Sequence, residues 1–144
     1  MDDREELLSA WIEMSVSIRG NRILSEHSFN ESVICGLLYR QMQEGRERLT
    51  ATDICEQTKL LKSQINRILN GMERQNMIER VRSIEDKRKV YISLKEDYVK
   101  TYLEDHEKVL QIMDVFSSKM GEEKMQMLTK LMREAVSLVD ECCG

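Results

Sequence analysis

The sequence predicts a mainly α fold with one small β-hairpin wing: a winged helix-turn-helix core flanked by N- and C-terminal dimerisation helices. Three observations lead there. A short capped stretch, "LTATDICEQT", is followed after a tight turn by the amphipathic stretch "KSQINRILNGMERQ". Two alternating segments, "IERVRS" and "KVYISL", then enclose a polar tip. Over the last third, apolar residues recur at steps of three and four, in a stripe wider than one partner helix needs to cover.

The 144 residues are enough for one domain with a core of its own, yet few enough that a second subunit can share it. With 41% hydrophobic and 33% charged residues, the chain belongs with folded helical proteins and not with disordered ones. Its organisation reads as an N-terminal dimerisation helix over 1–27, a winged helix-turn-helix over 28–94 and C-terminal dimerisation helices over 95–144. Zero proline leaves no rigid linker. No apolar run is long enough for a membrane span, and Asp2, Asp3, Glu5 and Glu6 stand where a secretory signal needs cations, so the expected location is cytoplasmic, with no membrane partner.

Taken in order, Leu7, Trp11, Met14 and Ile18 fall on one stripe of a first helix, punctuated by Gly20 and Asn21. Ser28 and Glu31 form a reciprocal capping pattern ahead of Val33, Ile34, Leu37 and Leu38, and Gly45 stops this second helix. Thr50 and Asp53 repeat the capping pattern for a short third helix with Ile54 and Cys55 inside. In the fourth, Ile65, Ile68, Leu69 and Met72 take the buried positions and leave Ser63, Arg67, Asn70 and Arg74 on the opposite side. Asn76 suits the left-handed conformation that ends helices. The hairpin follows, with Arg80 and Arg82 on one side of its first strand and Val90, Ile92 and Leu94 on one side of its second. Its tip, "SIEDKRK", lacks glycine, which predicts an extended projection and not a two-residue turn. Two amphipathic helices close the chain. Val99, Tyr102, His106, Val109, Met113, Phe116 and Met120 stripe the first; after Gly121, Met125, Leu128, Met132, Ala135 and Val139 stripe the second, each widened by leucines (Leu103, Leu110, Leu131, Leu138).

The formal net charge is −4, but residues 59–89 hold nine Lys or Arg against four acids, a local +5 that leaves −9 elsewhere. Such segregation steers one face toward phosphates while the remainder repels them. A helix-turn-helix places its second helix in the major groove of DNA, where Lys62, Ser63, Gln64, Asn66, Arg67 and Asn70 are the candidate recognition residues. Arg67 suits guanine; Gln64 and Asn66 suit adenine. Lys62 and the free backbone N–H groups at the helix start attract phosphate, with Thr50, Arg74 and Arg82 as further backbone contacts. A hairpin tip beside that helix falls over the neighbouring minor groove, whose negative slot attracts arginine. Here the candidates are Asp86, Lys87, Arg88 and Lys89, with Arg88 inserting and Asp86 holding its guanidinium in an extended, bidentate pose. Taken alone, such a charge run also reads as a solvated turn; the upstream helix-turn-helix weighs against that.

These residues resemble the MarR (multiple-antibiotic-resistance regulator) family of winged helix-turn-helix transcription factors. The resemblance runs from about Thr50 to Leu94. It rests on the recognition helix, on its exit at Met72 and Glu73 followed by 76–80, on the Asp86-Lys87-Arg88 wing and on the Ser93-Leu94 return. Lys59 departs from a frequent glycine, Leu61 from a capping Asp or Ser, Asn66 from a small hydroxyl residue and Asp97 from a nearby glycine. The resemblance implies an obligate homodimer that binds double-stranded DNA at a palindromic operator, as a repressor released by a small aromatic or amphipathic effector. That effector would enter a crevice walled by the first, second and fifth helices, for which Trp11, Met14, Tyr39 and Tyr102 are the candidates; an apolar stripe also reads as plain core.

Other readings stay open. Related winged units also dock proteins. Of the cysteines, Cys35, Cys55, Cys142 and Cys143, only Cys55 lies near a cation-rich segment, which makes it the one candidate for redox switching. The cysteines form no Cys-x-x-Cys pair, and His27 and His106 stand apart, so no metal is expected. No glycine-rich phosphate loop, nucleophile motif or clustered His-acid pair is present, so no enzyme, catalytic residue or cofactor is expected.

Overall fold

A computed structural model describes residues 2–21 and 29–143. The elements follow in the order α1 (Asp3–Gly20), α2 (Phe29–Glu44), β1 (Leu49–Thr50), α3 (Ala51–Thr58), α4 (Lys62–Arg74), β2 (Ile78–Arg82), β3 (Val90–Leu94), α5 (Glu96–Met120) and α6 (Glu122–Cys143). The chain forms two compact units, one over Met1–His106 and one over Glu107–Gly144.

Local chemistry sets most boundaries in the first unit. Asp2 starts α1, its Oδ1 accepting the backbone N–H groups of Arg4 and Glu5 at 2.9 and 3.0 Å. Ser28, the expected cap of α2, lies outside the described residues. Gly45 ends α2 with φ of +63°, a conformation that costs glycine nothing. Thr50 and Asp53 cap α3 reciprocally: Thr50 N–H donates to the Asp53 carboxylate at 2.9 Å, and Asp53 N–H donates to Thr50 Oγ1 at 3.2 Å. Lys59 closes α3 in the left-handed region at φ +62°, and Asn76 follows α4 at φ +59°. The glycine that Lys59 replaces would take that conformation without a Cβ penalty, whereas an L side chain there costs about 1–2 kcal/mol.

The sheet is antiparallel, in the order β1-β3-β2. Its hairpin pairs Ile78 with Leu94, Arg80 with Ile92 and Arg82 with Val90. β1 was not expected from the sequence. It is two residues long and pairs Leu49 with Ile92 and Thr50 with Tyr91, so one threonine both ends a strand and caps a helix.

One core closes this unit. Ile34, Cys35 and Leu38 of α2 meet Leu49, Ile54, Ile65, Leu69, Met72, Met77, Ile78, Ile92 and Leu94, all buried. Each such side chain contributes about 1.5–3 kcal/mol by leaving water. Along α4 the buried residues are Ile65, Leu69 and Met72, so its position is set from inside and its opposite side stays free.

In the second unit, α6 has no buried residue, and none is buried anywhere along α5. Leu131, Val136 and Leu138 face solvent at 53–60% exposure. α1 in the first unit is similar: it buries nothing, and Leu7, Leu8, Trp11 and Ile12 are all more than half exposed.

Candidate nucleic-acid interface

The free side of α4 carries Lys62, Ser63, Arg67, Asn70 and Arg74, all exposed, while Gln64 and Asn66 are half-buried. The helix begins without a side-chain cap, because the N-cap residue is Leu61. Gln64 supplies what Leu61 lacks: its Oε1 accepts the Leu61 N–H at 3.1 Å. That acceptor is therefore engaged locally, and the amide N–H₂ is what Gln64 retains for another partner. Asn70 is also engaged. Its Oδ1 accepts from Arg80 Nη2 at 2.7 Å, and Arg80 Nε lies 3.8 Å from Glu73 Oε1. Arg80 is thus a brace between β2 and the last turns of α4. Sequence alternation put Arg80 on one side of its strand but did not show that α4 lies over that side.

The wing tip is held by its own hydrogen bonds. Ser83 N–H donates to the Lys89 carbonyl at 2.9 Å, Lys89 N–H to the Asp86 carbonyl at 2.9 Å, and Asp86 N–H to Ser83 Oγ at 3.1 Å. Arg82 donates from Nη1 to the Lys87 carbonyl oxygen, so this guanidinium, expected on a phosphate, braces the loop. Asp86 does hold Arg88, but through one oxygen and not as a bidentate pair. Its Oδ1 accepts both the Arg88 backbone N–H at 3.1 Å and the Arg88 Nε at 3.2 Å. The Arg88 N–H, then its side chain, then the charge of Lys89, hold the Asp86 carboxyl below the usual carboxylate range. The Arg88 side chain remains 92% exposed, with both terminal nitrogens left for a ligand. Thr50, half-buried, uses its hydroxyl in the α3 cap.

Of the four aromatic and methionine candidates, two are in contact. Tyr39 and Tyr102 meet with their rings tilted by 44° and their centroids 5.1 Å apart, and Tyr102 stacks in turn on His106 at 5.7 Å. Trp11 and Met14 are exposed on α1. A cleft of about 1200 Å³ in the first unit is lined in part by Leu38, Gln41, Met42, Val81, Val99 and Leu103. Gln41 Oε1 is buried there without a hydrogen-bond partner.

Among the cysteines, Cys35 is buried, and burial together with the charges of Glu31 and Asp105 pushes its thiol up to about 12, which makes it a poor nucleophile. Cys55 is half-buried; Cys142 and Cys143 are exposed and unbridged. Among the described residues no group of His, Cys, Asp or Glu has the arrangement of a metal site, and no helix is long and apolar enough to cross a membrane.

Residues 36–89, which hold the helix-turn-helix, β2 and the wing loop, match the model of the MarR family. This segment is similar to the winged helix-turn-helix of the MarR family. Over 88 residues the chain is 30% identical to the HTH-type transcriptional regulator FarR of Neisseria gonorrhoeae, covering 61% of this chain and 60% of FarR. It is equally similar, 30% over 86 residues, to the homoprotocatechuate degradative operon repressor of Escherichia coli, covering 60% and 58% of the two chains. The chain thus spans about three-fifths of the length of the curated relatives it matches. In structure it is similar to MepR, a transcription regulator of the Staphylococcus aureus multidrug efflux pump MepA, with a TM-score of 0.70, 19% identity and coverage of 96% and 99%. MepR bound to ethidium bromide is also similar, with a TM-score of 0.58, 21% identity and coverage of 92% and 95%.

Proposed function

We propose that this chain is a homodimeric transcription regulator that binds a palindromic operator in double-stranded DNA and represses until a small amphipathic or aromatic effector releases it. One observation carries the reading: a recognition helix with a free polar side stands beside a wing whose Arg88 is exposed and aimed by Asp86. α4 enters the major groove, with Lys62 and the N–H groups of its first turn on phosphate and Ser63, Gln64, Asn66 and Arg67 on base edges. Arg88 enters the adjoining minor groove, with Lys87 and Lys89 on the flanking phosphates. Arg74 remains a phosphate contact; Asn70 and Arg82 act first as internal braces.

Dimerisation is supported by the exposed apolar residues of α1, α6 and the later part of α5, among them Leu7, Trp11, Leu110, Phe116, Leu131 and Leu138. Helices of monomeric proteins seldom leave so many large apolar side chains exposed. A second copy covering them sets two recognition helices one DNA turn apart, about 34–36 Å. The cleft beside Gln41 supports the effector step: it is large enough for a drug-sized molecule and holds one unpaired acceptor for a donor group.

The test is a gel shift on duplex recovered by genomic footprinting, comparing wild type with the triple change Lys87→Ala, Arg88→Ala and Lys89→Ala. Loss of operator binding by about a hundredfold or more is expected, since each lost phosphate contact flattens the salt dependence and weakens binding. Unchanged affinity in the triple variant would rule the reading out. Background-level duplex binding by the wild type at low salt, with a tight protein partner recovered instead, would favour a protein-docking winged helix.

A further inference from the structure

Ile84 is 96% exposed, whereas no other large apolar side chain among the described residues exceeds 69%. It occupies a tight loop, where Gly, Asn, Asp, Ser and Pro are the residues that backbone geometry favours, so turn chemistry does not account for an isoleucine. Nor can the side chain relieve its exposure by folding inward. The loop around it is closed by the Ser83–Lys89 and Asp86–Lys89 backbone hydrogen bonds and by the Ser83 hydroxyl on Asp86 N–H. A rigid scaffold therefore presents one bare apolar group to whatever the wing meets.

Its surroundings identify that partner as a polyanion with apolar walls. Lys87, Arg88 and Lys89 follow within five residues of Ile84. On its other side Ile84 borders a shallow hollow of about 300 Å³ that it shares with Arg48, Arg82, Tyr91 and the single acid Glu85. The minor groove of duplex DNA offers both halves of this chemistry: phosphates along its rims, and deoxyribose C–H walls and base edges within. Proteins that enter it use Ile, Leu, Phe, Met or Pro as wedges at deformable base steps.

We propose that Ile84 is a second minor-groove element of the wing, packing on the deoxyribose walls next to the Arg88 insertion and favouring operators with a flexible pyrimidine–purine step there. This rests on the DNA-binding reading above and adds to it a contact that carries no charge. Arginine reads the negative potential of a narrow groove, and an apolar wedge reads how readily the groove opens. The two contacts therefore differ in their response to salt.

That difference is the test. Affinity of the full chain for its footprinted operator duplex is measured across a salt series for wild type, Ile84→Ala, Ile84→Leu and Arg88→Ala. Ile84→Ala is expected to weaken binding about five- to tenfold at every salt concentration, leaving the slope of log affinity against log salt as in the wild type. Arg88→Ala is expected to flatten that slope by about one. Ile84→Leu, which keeps the apolar bulk, should restore affinity to within about twofold. Because Ile84 touches almost nothing in its own chain, its variants keep the fold, which circular dichroism checks. If Ile84→Ala binds within twofold of wild type, or changes the salt slope as Arg88→Ala does, the wedge is overturned while the regulator reading stands. A wild type that fails to bind duplex at low salt would overturn both. Unaltered DNA affinity combined with loss of a protein partner on Ile84→Ala would assign the residue to protein docking instead.

Discussion

The winged core and the helices that flank it solve opposite problems. In the core, twelve apolar side chains from α2, α3, α4 and the sheet are buried in one cluster, so the chain completes that region by itself. No residue of α1, α5 or α6 is fully buried; the start of α5 packs Tyr98, Val99 and Tyr102 against the core, while Leu7 and Trp11 of α1 and Leu131 and Leu138 of α6 stay exposed. Both regions have amphipathic periodicity; only in the core is that periodicity fully covered within one chain. Periodicity thus tells which side of a helix seeks burial, and the fold tells whether that burial is internal or comes from another molecule.

The largest effect expected from this contrast lies in the core. Leu69 is fully buried at the centre of α4, so Leu69→Ala removes its methyl groups and leaves a cavity. The expected loss is about 2–5 kcal/mol, read as a lower denaturant midpoint with DNA binding lost in parallel. If the loss stays under ~1 kcal/mol, α4 is not anchored as described, and the free side assigned to it loses its basis.

On the flanking helices the same kind of residue should behave differently. Leu131 and Leu138, seven residues apart on α6, are 53% and 60% exposed. Leu131→Asp with Leu138→Asp puts two charges where a second subunit would remove water. The core should keep its circular dichroism, while sedimentation shows monomers at micromolar concentration and operator affinity falls about a hundredfold. A double variant that stays dimeric would place the interface elsewhere.

What was legible in the sequence follows the same division. Strong periods were legible because they repeat: Ile65, Leu69 and Met72 marked the inner side of α4, and the alternation at Val90, Ile92 and Leu94 marked β3. The capping box at Thr50 and Asp53 was legible because its geometry is local. Contacts between elements were not. Arg80 on Asn70 joins residues ten apart through a packing that no local pattern encodes, and Arg82 on the Lys87 carbonyl depends on the path of the wing loop. β1 escaped notice because two residues are too few to show a period. Nor does the stripe of α1 show what Trp11 and Met14 face, because that helix has no fully buried residue of its own.

The smallest expected effect concerns Leu61, the one residue of the helix-turn-helix that behaves like the flanking helices. It sits at the N-cap of α4 with φ −69° and ψ 149°, the extended geometry that a capping serine adopts, but it offers no acceptor and is 69% exposed. Half a capping box is already in place, since Gln64 reaches back to the Leu61 N–H. Leu61→Ser adds the missing half, an Oγ that accepts the Gln64 N–H, and should raise stability by about 0.5–1 kcal/mol, seen as a higher denaturant midpoint at unchanged m. The sign of the change decides between two accounts of this leucine. A gain means that Leu61 is an uncompensated local defect within a region the chain otherwise completes alone. A loss of stability that grows with protein concentration means that Leu61 is covered by the second subunit, and the line between the self-sufficient core and the shared surface then runs through the start of the recognition helix.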